Sequence, residues 1–248
     1  MNRAVLLLGM GEKYLDWAGR LAYSFRTRGQ YTDDIVIYGD GPIDVEAEVR
    51  DIAPIYRELF DGPQAECNMH MVRVAGGLQL IEEGYDEILY SDTDALVMRS
   101  VAPFFEGLGD KPRVQRDRTP WTLGWSGAHR GFLSLREQMT QVPAINSGHW
   151  VGTAKALEPM LRGWDEIAVN DIYGITASGR CLEQAALNAW CVRNLGTWAW
   201  IPDGLVQVGF DRPRKGYPAI VHYMASGRDF MDRDYEELCG TVQESKKD

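Results

Sequence analysis

Three continuous apolar runs punctuate the first part of the chain: AVLLL at residues 4–8, DIVIYGD at 34–40 and EILY at 87–90. Between the first two lies a stretch, Leu15 to Thr27, whose apolar positions recur at helical spacing, so the opening reads as buried strand, amphipathic helix, buried strand. Runs without polar alternation suit strands covered on both faces, and that order opens a parallel α/β sheet. Residues 44–58 read as weakly helical, and NMHMVRVAGGLQLIEE at 68–83 reads as a helix loosened by Gly76 and Gly77. Three strand–helix units therefore lead to ILYSDTDALV at 88–97.

Beyond that point VAPFFEGL and a strand-like RVQRD run into DRTPWTLGWSGAHRG, whose Gly, Pro and Trp content predicts a loop excursion. The remainder alternates AINSGHWVGT, a helix from Ala154 to about Val169, a second helix around CLEQAALNAWCVRN, strand candidates TWAWIP and LVQVGF, and finally AIVHYMASGRD. No Pro- or Ser-rich linker divides these segments, which predicts a single domain over residues 1–240, with its second half wrapped onto the first and a frayed tail at 241–248.

Composition narrows the function. With 248 residues and 45% hydrophobic content the chain can bury a sizeable core. A net charge of −10 sets the protein's own field against nucleic acid or anionic membrane, while leaving room for a local basic pocket. Cys67, Cys181, Cys191 and Cys239 form no C-x-x-C pair and no zinc-like spacing, and no signal peptide is recognisable, so reduced thiols and a cytoplasmic location are expected. The apolar run at 4–10 is far short of the roughly 20 residues that cross a bilayer.

The chemistry centres on Asp92 and Asp94. Side chains two apart on an extended segment point the same way, and ligands of parallel sheets collect at the carboxyl ends of strands, where this pair falls. Two carboxylates so placed suit Mg²⁺ or Mn²⁺, although a pair that merely caps a turn has the same local pattern. A haloacid-dehalogenase-like phosphohydrolase is the alternative, with Asp92 as nucleophile and Asp94 as general acid. Against it, Leu96 stands where Thr or Val is expected, and the motif lies on the third strand instead of the first. GMGEKY lacks the third glycine of a dinucleotide fingerprint, Tyr14 taking its place, which argues against NAD. A non-catalytic nucleotide-sugar binding protein is the remaining option.

Taken in order, AVLLLGMGEKY, ILYSDTDALV, AINSGHW, CLEQAALNAW and VHYMASGRD resemble the nucleotide-sugar glycosyltransferases of the GT-A fold, closest to glycosyltransferase family 8 with its glycogenin and bacterial galactosyltransferases. The resemblance implies an α/β, Rossmann-like single domain with a mostly parallel central sheet flanked by helices. It implies a UDP-sugar donor and Mn²⁺ (or Mg²⁺) held by Asp92, Asp94 and His222, with the imidazole favouring Mn²⁺. Gly9, Tyr14, Arg73, Asp92, Thr93, Asn146, Gly227 and Arg228 would embrace the donor, Tyr14 stacking on its base and Arg228 standing where the family has Lys. Glu183 and Gln184, matching the family's Asp-Gln pair, would stabilise the oxocarbenium-like centre of a reaction that retains configuration. Asp229 and Phe230 replace the family's Pro-Trp. Trp121, Trp125 and His129 fall where acceptors bind, the acceptor being a glycan, a protein, a lipid headgroup or a small molecule.

Overall fold

The computed structural model describes residues 1–53, 70–117, 143–168, 182–209, 218–223 and 227–244. The apolar runs become the strands β1 (Arg3–Gly9), β2 (Asp34–Gly39) and β4 (Glu87–Ser91), with β1 hydrogen-bonded in parallel to both others. The intervening helix α1 (Glu12–Thr27) lays Ala18, Leu21, Ala22 and Phe25 on this sheet. Gly9 permits that packing, since a Cβ there would meet Leu15 and Ala18 at 3.2 Å.

Two expectations are corrected at this end of the molecule. Residues 48–51, within the stretch expected to be weakly helical, form the edge strand β3 (Glu48–Asp51), parallel to β2. Its Arg50 bridges Glu48 and Glu83 and lies over the Tyr38 ring, so cross-strand contacts override a helical propensity that was weak. The helix before β4 is continuous, α2 (Val72–Glu82), and its glycines do not loosen it. A Cβ on Gly76 would press Tyr38 at 3.0 Å and one on Gly77 would press Leu161 and Trp150 at 2.9 Å, so both positions exist for close approach.

The chain then runs through β5 (Ala95–Val97), α3 (Ala102–Phe105), β6 (Arg113–Arg116), β7 (Ile145–Thr153), α4 (Ala154–Ile167), α5 (Leu182–Arg193), β8 (Ala199–Trp200), β9 (Val206–Gly209), β10 (Ile220–Tyr223) and α6 (Arg228–Glu244). Among the described residues the central sheet has seven strands in the order β3-β2-β1-β4-β7-β6-β8, with β7 antiparallel to both of its neighbours. One apolar cluster on it joins residues of α2, α4 and α5, among them Leu80, Trp164 and Leu187; another joins α1 and α3 through Phe25 and Phe104. Among the described residues no helix is long and apolar enough to cross a membrane.

A second, three-stranded sheet in the order β5-β10-β9 was not foreseen, and it positions the site. Here β10 runs antiparallel to β5 with His222 opposite Ala95, and the Tyr223 amide donates to the Asp94 carbonyl at 2.7 Å. A residue late in the chain is thereby fixed beside the paired aspartates.

Candidate active site

Strand β4 is buried along its whole length and ends at Ser91, so Asp92, Thr93 and Asp94 occupy its carboxyl end before β5 begins. Facing them, β7 departs from regular pairing. Its ladder with β6 jumps from Val114–Trp150 to Gln115–Asn146, leaving Ser147, Gly148 and His149 as a wide bulge. Bulges bend a strand and re-aim its side chains, and they collect beside active sites. This one brings Gly148 to the aspartates: its carbonyl accepts from the Asp92 amide at 2.8 Å, and its own amide donates to Asn146 Oδ1 at 2.8 Å.

One ligand atom from each of Asp92, Asp94 and His222 falls within a set spanning no more than 4.8 Å. His222 Nε2 lies 3.0 Å from Asp94 Oδ1 and 3.8 Å from Asp92 Oδ2. Two arginines flank them. Arg228 directs Nε and a terminal nitrogen at Asp94 Oδ2, at 2.9 and 2.6 Å, and buried Arg73 reaches Asp92 Oδ1 at 3.3 Å while lying over the Tyr90 ring. The Tyr90 hydroxyl donates to the same Asp92 oxygen at 2.5 Å. Burial alone would push the Asp92 carboxyl up, but Arg73, His222 and Tyr90 outweigh it and hold the group well below the usual carboxylate range. For His222 burial opposes the cation, and the two carboxylates reverse that effect, so its pKa is raised.

These residues fit a divalent cation. Two carboxylates and an imidazole are a donor set for Mn²⁺ or Mg²⁺, and the space between them exists because position 148 lacks a side chain. A Cβ on Gly148 would lie 2.7 Å from Asp92 Oδ2, from Asn146 Oδ1 and from His222 Cε1.

A cavity of about 190 Å³ opens beside this cluster, lined by Leu8, Met10, Tyr14, His70, Arg73, Tyr90, Asp92, Thr93, Asp94 and Arg228. Of the residues expected to embrace a donor, Tyr14, Arg73, Asp92, Thr93 and Arg228 therefore line one cavity. Tyr14 is 40% exposed and stands edge-on to Trp17. Asn146 adjoins them through Gly148. Gly9 does not line the cavity, and the space over its Cα is filled by α1. Gly227 is buried immediately before Arg228, which opens the helix α6. Glu183 and Gln184 lie on the far side of Ser147, whose Oγ donates toward them at 3.4 and 3.2 Å and accepts from Arg73 at 3.2 Å. Gln184 also donates to Asp117 at 3.1 Å. Trp121, Trp125 and His129 lie outside the described residues, as do Met224, Ala225 and Ser226.

Sequence reasoning assigned no role to Tyr90, Ser147 or His149. The last two sit inside the quoted AINSGHW segment, but nothing local announces the bulge that turns them inward. His149 is fully buried with its ring edge-on to His222 at 5.1 Å, and burial, helped by the neighbouring His222, pushes its pKa down to about 3, so it is neutral.

No protein-family model matches the sequence, and no curated protein matches it significantly. Solved structures do share its fold. Mouse xyloside xylosyltransferase 1 superposes with a TM-score of 0.65 at 11% identity, over 92% of this chain and 99% of that one. The galactosyltransferase LgtC, in complex with donor and acceptor sugar analogs, gives 0.58 at 13% identity over 96% of this chain and 95% of that one. The glycosyltransferase GlyE of Streptococcus pneumoniae gives 0.51 at 17% identity, over 90% of this chain and 55% of that one. The architecture that five short segments suggested thus extends to nearly the whole chain, which has the GT-A fold of these glycosyltransferases.

Proposed function

We propose that the protein transfers a sugar from a UDP-sugar to an acceptor hydroxyl, with a divalent cation and with retention of anomeric configuration. The observation that carries this reading is the convergence of Asp92, Asp94 and His222 within 4.8 Å, the two aspartates lining a cavity that Tyr14, Arg73 and Arg228 also line. At about 190 Å³ that cavity is smaller than the ~300 Å³ at which small-molecule pockets begin, so it suits the diphosphate and part of the nucleoside, not the whole donor.

Asp92, Asp94 and His222 would hold the cation, which when bound neutralises charge on the departing diphosphate. Arg228, 40% exposed at its side chain and facing the cavity, is free to swing part of its guanidinium onto a phosphate. Tyr14 offers its ring to the base. Ser147, touching both Arg73 and the Glu183–Gln184 pair, links the diphosphate side to the side where the sugar would react. There the acceptor oxygen forms its bond to the anomeric carbon as the bond to the donor phosphate breaks, and the acceptor's proton passes to the leaving phosphate. Glu183 and Gln184 stabilise the positive charge on the sugar.

The phosphohydrolase alternative requires Asp94 to deliver a proton. An oxygen of Asp94 that accepts two N–H groups from Arg228, beside His222, is placed as an anion and not as an acid. Thermal-shift titration with UDP, Mn²⁺ and NAD tests the assignment, since a ligand that binds only the folded state raises its stability. The expected result is a shift with UDP and Mn²⁺ together and none with NAD. Asp94→Asn is expected to fold and to lose metal-dependent hydrolysis or transfer of UDP-sugars; full activity in the presence of chelator would exclude the metal. Turnover of p-nitrophenyl phosphate that Asp92→Asn abolishes would favour the phosphohydrolase.

A further inference from the structure

Behind the cluster of candidate metal ligands lies a second histidine with no part in the chemistry above. His149 is fully buried on β7, and both of its ring nitrogens are engaged: Nε2 with Ser91 Oγ at 2.9 Å and Nδ1 with the side-chain amide of Gln115 at 2.7 Å. An apolar residue would fill a strand position in a core at less cost, since a buried imidazole needs partners for two nitrogens.

The direction of these hydrogen bonds follows from counting protons. If Gln115 presents its oxygen to Nδ1, its amide nitrogen is buried without a partner. Nε2 must then take the one Ser91 proton, which leaves the Asp92 carbonyl, 3.1 Å from Ser91 Oγ, with no donor from that hydroxyl. Turning the amide gives the Gln115 nitrogen and both ring nitrogens of His149 a partner. Gln115 N–H donates to Nδ1, Nε2–H donates to Ser91 Oγ, and the Ser91 hydroxyl donates to the Asp92 carbonyl. One Gln115 N–H and the amide oxygen are then left open, where the other arrangement orphans both amide N–H groups. The Asp92 peptide is thus held on both sides, its N–H by the Gly148 carbonyl at 2.8 Å and its C=O through Ser91 by His149.

The ring of His149 does something further. A metal-ligating histidine ordinarily has its orientation fixed by a hydrogen bond on the nitrogen that does not face the metal. His222 Nδ1 is buried and has no such partner among the described residues. The His149 ring packs edge-on against it instead, with centroids 5.1 Å apart and planes at 64°. We propose that His149 is a positioning residue for a divalent-cation site, bracing the His222 ring directly and holding the Asp92 main chain through Ser91. The inference rests on the assignment of Asp92, Asp94 and His222 as the cation's ligands.

Binding of Mn²⁺ alone, followed by electron paramagnetic resonance, tests it without any need for turnover. Wild-type protein and Asp94→Asn come first: binding by the former and its loss in the latter upholds the ligand assignment, whereas Asp94→Asn binding Mn²⁺ as wild type does overturns that assignment and the inference with it. Given that control, His149→Ala is expected to bind Mn²⁺ about 10- to 100-fold more weakly, the usual effect of removing a partner that orients a ligand. His149→Phe, which keeps a ring against His222, should lose less than His149→Ala. Thermal melting in the absence of metal shows whether the folded state persists. Should His149→Ala fail to fold, Ser91→Ala breaks the link to Asp92 with far less loss of packing, and weaker Mn²⁺ binding is again expected. Wild-type Mn²⁺ affinity in folded His149→Ala, or in Ser91→Ala where that variant takes its place, overturns the proposal while leaving the ligand assignment standing.

Discussion

Replacing Gly148 by alanine adds one methyl group at the point where three elements meet. Gly148 is not at a positive φ, so the substitution tests space and not backbone freedom. The new Cβ would lie 2.7 Å from Asp92 Oδ2, Asn146 Oδ1 and His222 Cε1, against 3.4 Å or more for ordinary contact. None of these atoms can retreat freely: Asp92 is held at its main chain and by Tyr90, Asn146 by the Gly148 amide, and His222 by the β10 ladder and the ring of His149. Overpacking of this kind costs about 1–3 kcal/mol, which for a domain of this size lowers the melting temperature by about 2–12 °C. The site is far less tolerant, because productive geometry holds within about 0.5 Å and a misplacement of about 1 Å can cost about 100-fold in rate. Gly148→Ala is therefore expected to melt cooperatively, a few degrees early, while losing UDP-sugar turnover by about 100-fold and Mn²⁺ binding with it. Turnover and Mn²⁺ affinity equal to wild type would refute the assignment of this space to the cation.

The two arginines are expected to separate stability from binding. Arg73→Met leaves Asp92 without its buried partner and the carbonyls of His70 and Ser147 without a donor, so a loss of about 3–5 kcal/mol should be seen in denaturant or thermal melts. Arg228→Met, at a half-exposed position, should melt close to wild type and weaken UDP binding in calorimetry; the opposite ranking would contradict the roles assigned. Tyr14→Ala is expected to weaken UDP by about 1–3 kcal/mol, or about 5- to 150-fold, with stability unaffected because the ring is exposed, while Tyr14→Phe keeps the stack and the affinity. Equal losses in both variants would show that the hydroxyl, and not the ring face, makes the contact.

What the sequence disclosed depended on how local the signal was. Continuous apolar runs at 4–8, 35–38 and 87–90 became the parallel heart of the sheet, and the position of Asp92 and Asp94 at the end of one of them followed from topology alone. The EVRD segment carries no strand pattern, because an edge strand with charged residues on it is shaped by its neighbours. His222 was legible only through family resemblance: what fixes it is β10 pairing with β5, a contact spanning more than half of the chain that no window of sequence contains. Gly148 and His149 were in view within AINSGHW, yet their roles depend on a bulge defined by β6 and β4, which are themselves read from other segments. Arg228, which the resemblance places on the donor, begins a 17-residue helix that the sequence analysis did not name, with Asp229 in the first turn where a carboxylate suits the helix dipole.

The charge of the site argues for an order of dependence between its ligands. Each aspartate already has an arginine, Arg73 on Asp92 and Arg228 on Asp94, so among these four groups the formal charge is balanced before any donor arrives. A diphosphate would bring further negative charge into a half-buried site where an arginine that turns to a phosphate gives up part of its hold on an aspartate, and uncompensated charge there is costly. A divalent cation between the carboxylates and the phosphates supplies the missing balance, and the carboxylates alone hold the cation less well than carboxylates and phosphates together. UDP and Mn²⁺ should accordingly bind with positive coupling, of the order of 1–3 kcal/mol or about 5- to 150-fold, and with the same factor seen from either side. Uridine, which has the base for Tyr14 but no diphosphate, should bind with an affinity that Mn²⁺ does not change. Calorimetric titrations of UDP and uridine with Mn²⁺ and with chelator measure both quantities; an enhancement shared by uridine would place the cation's influence on the fold and not on the diphosphate.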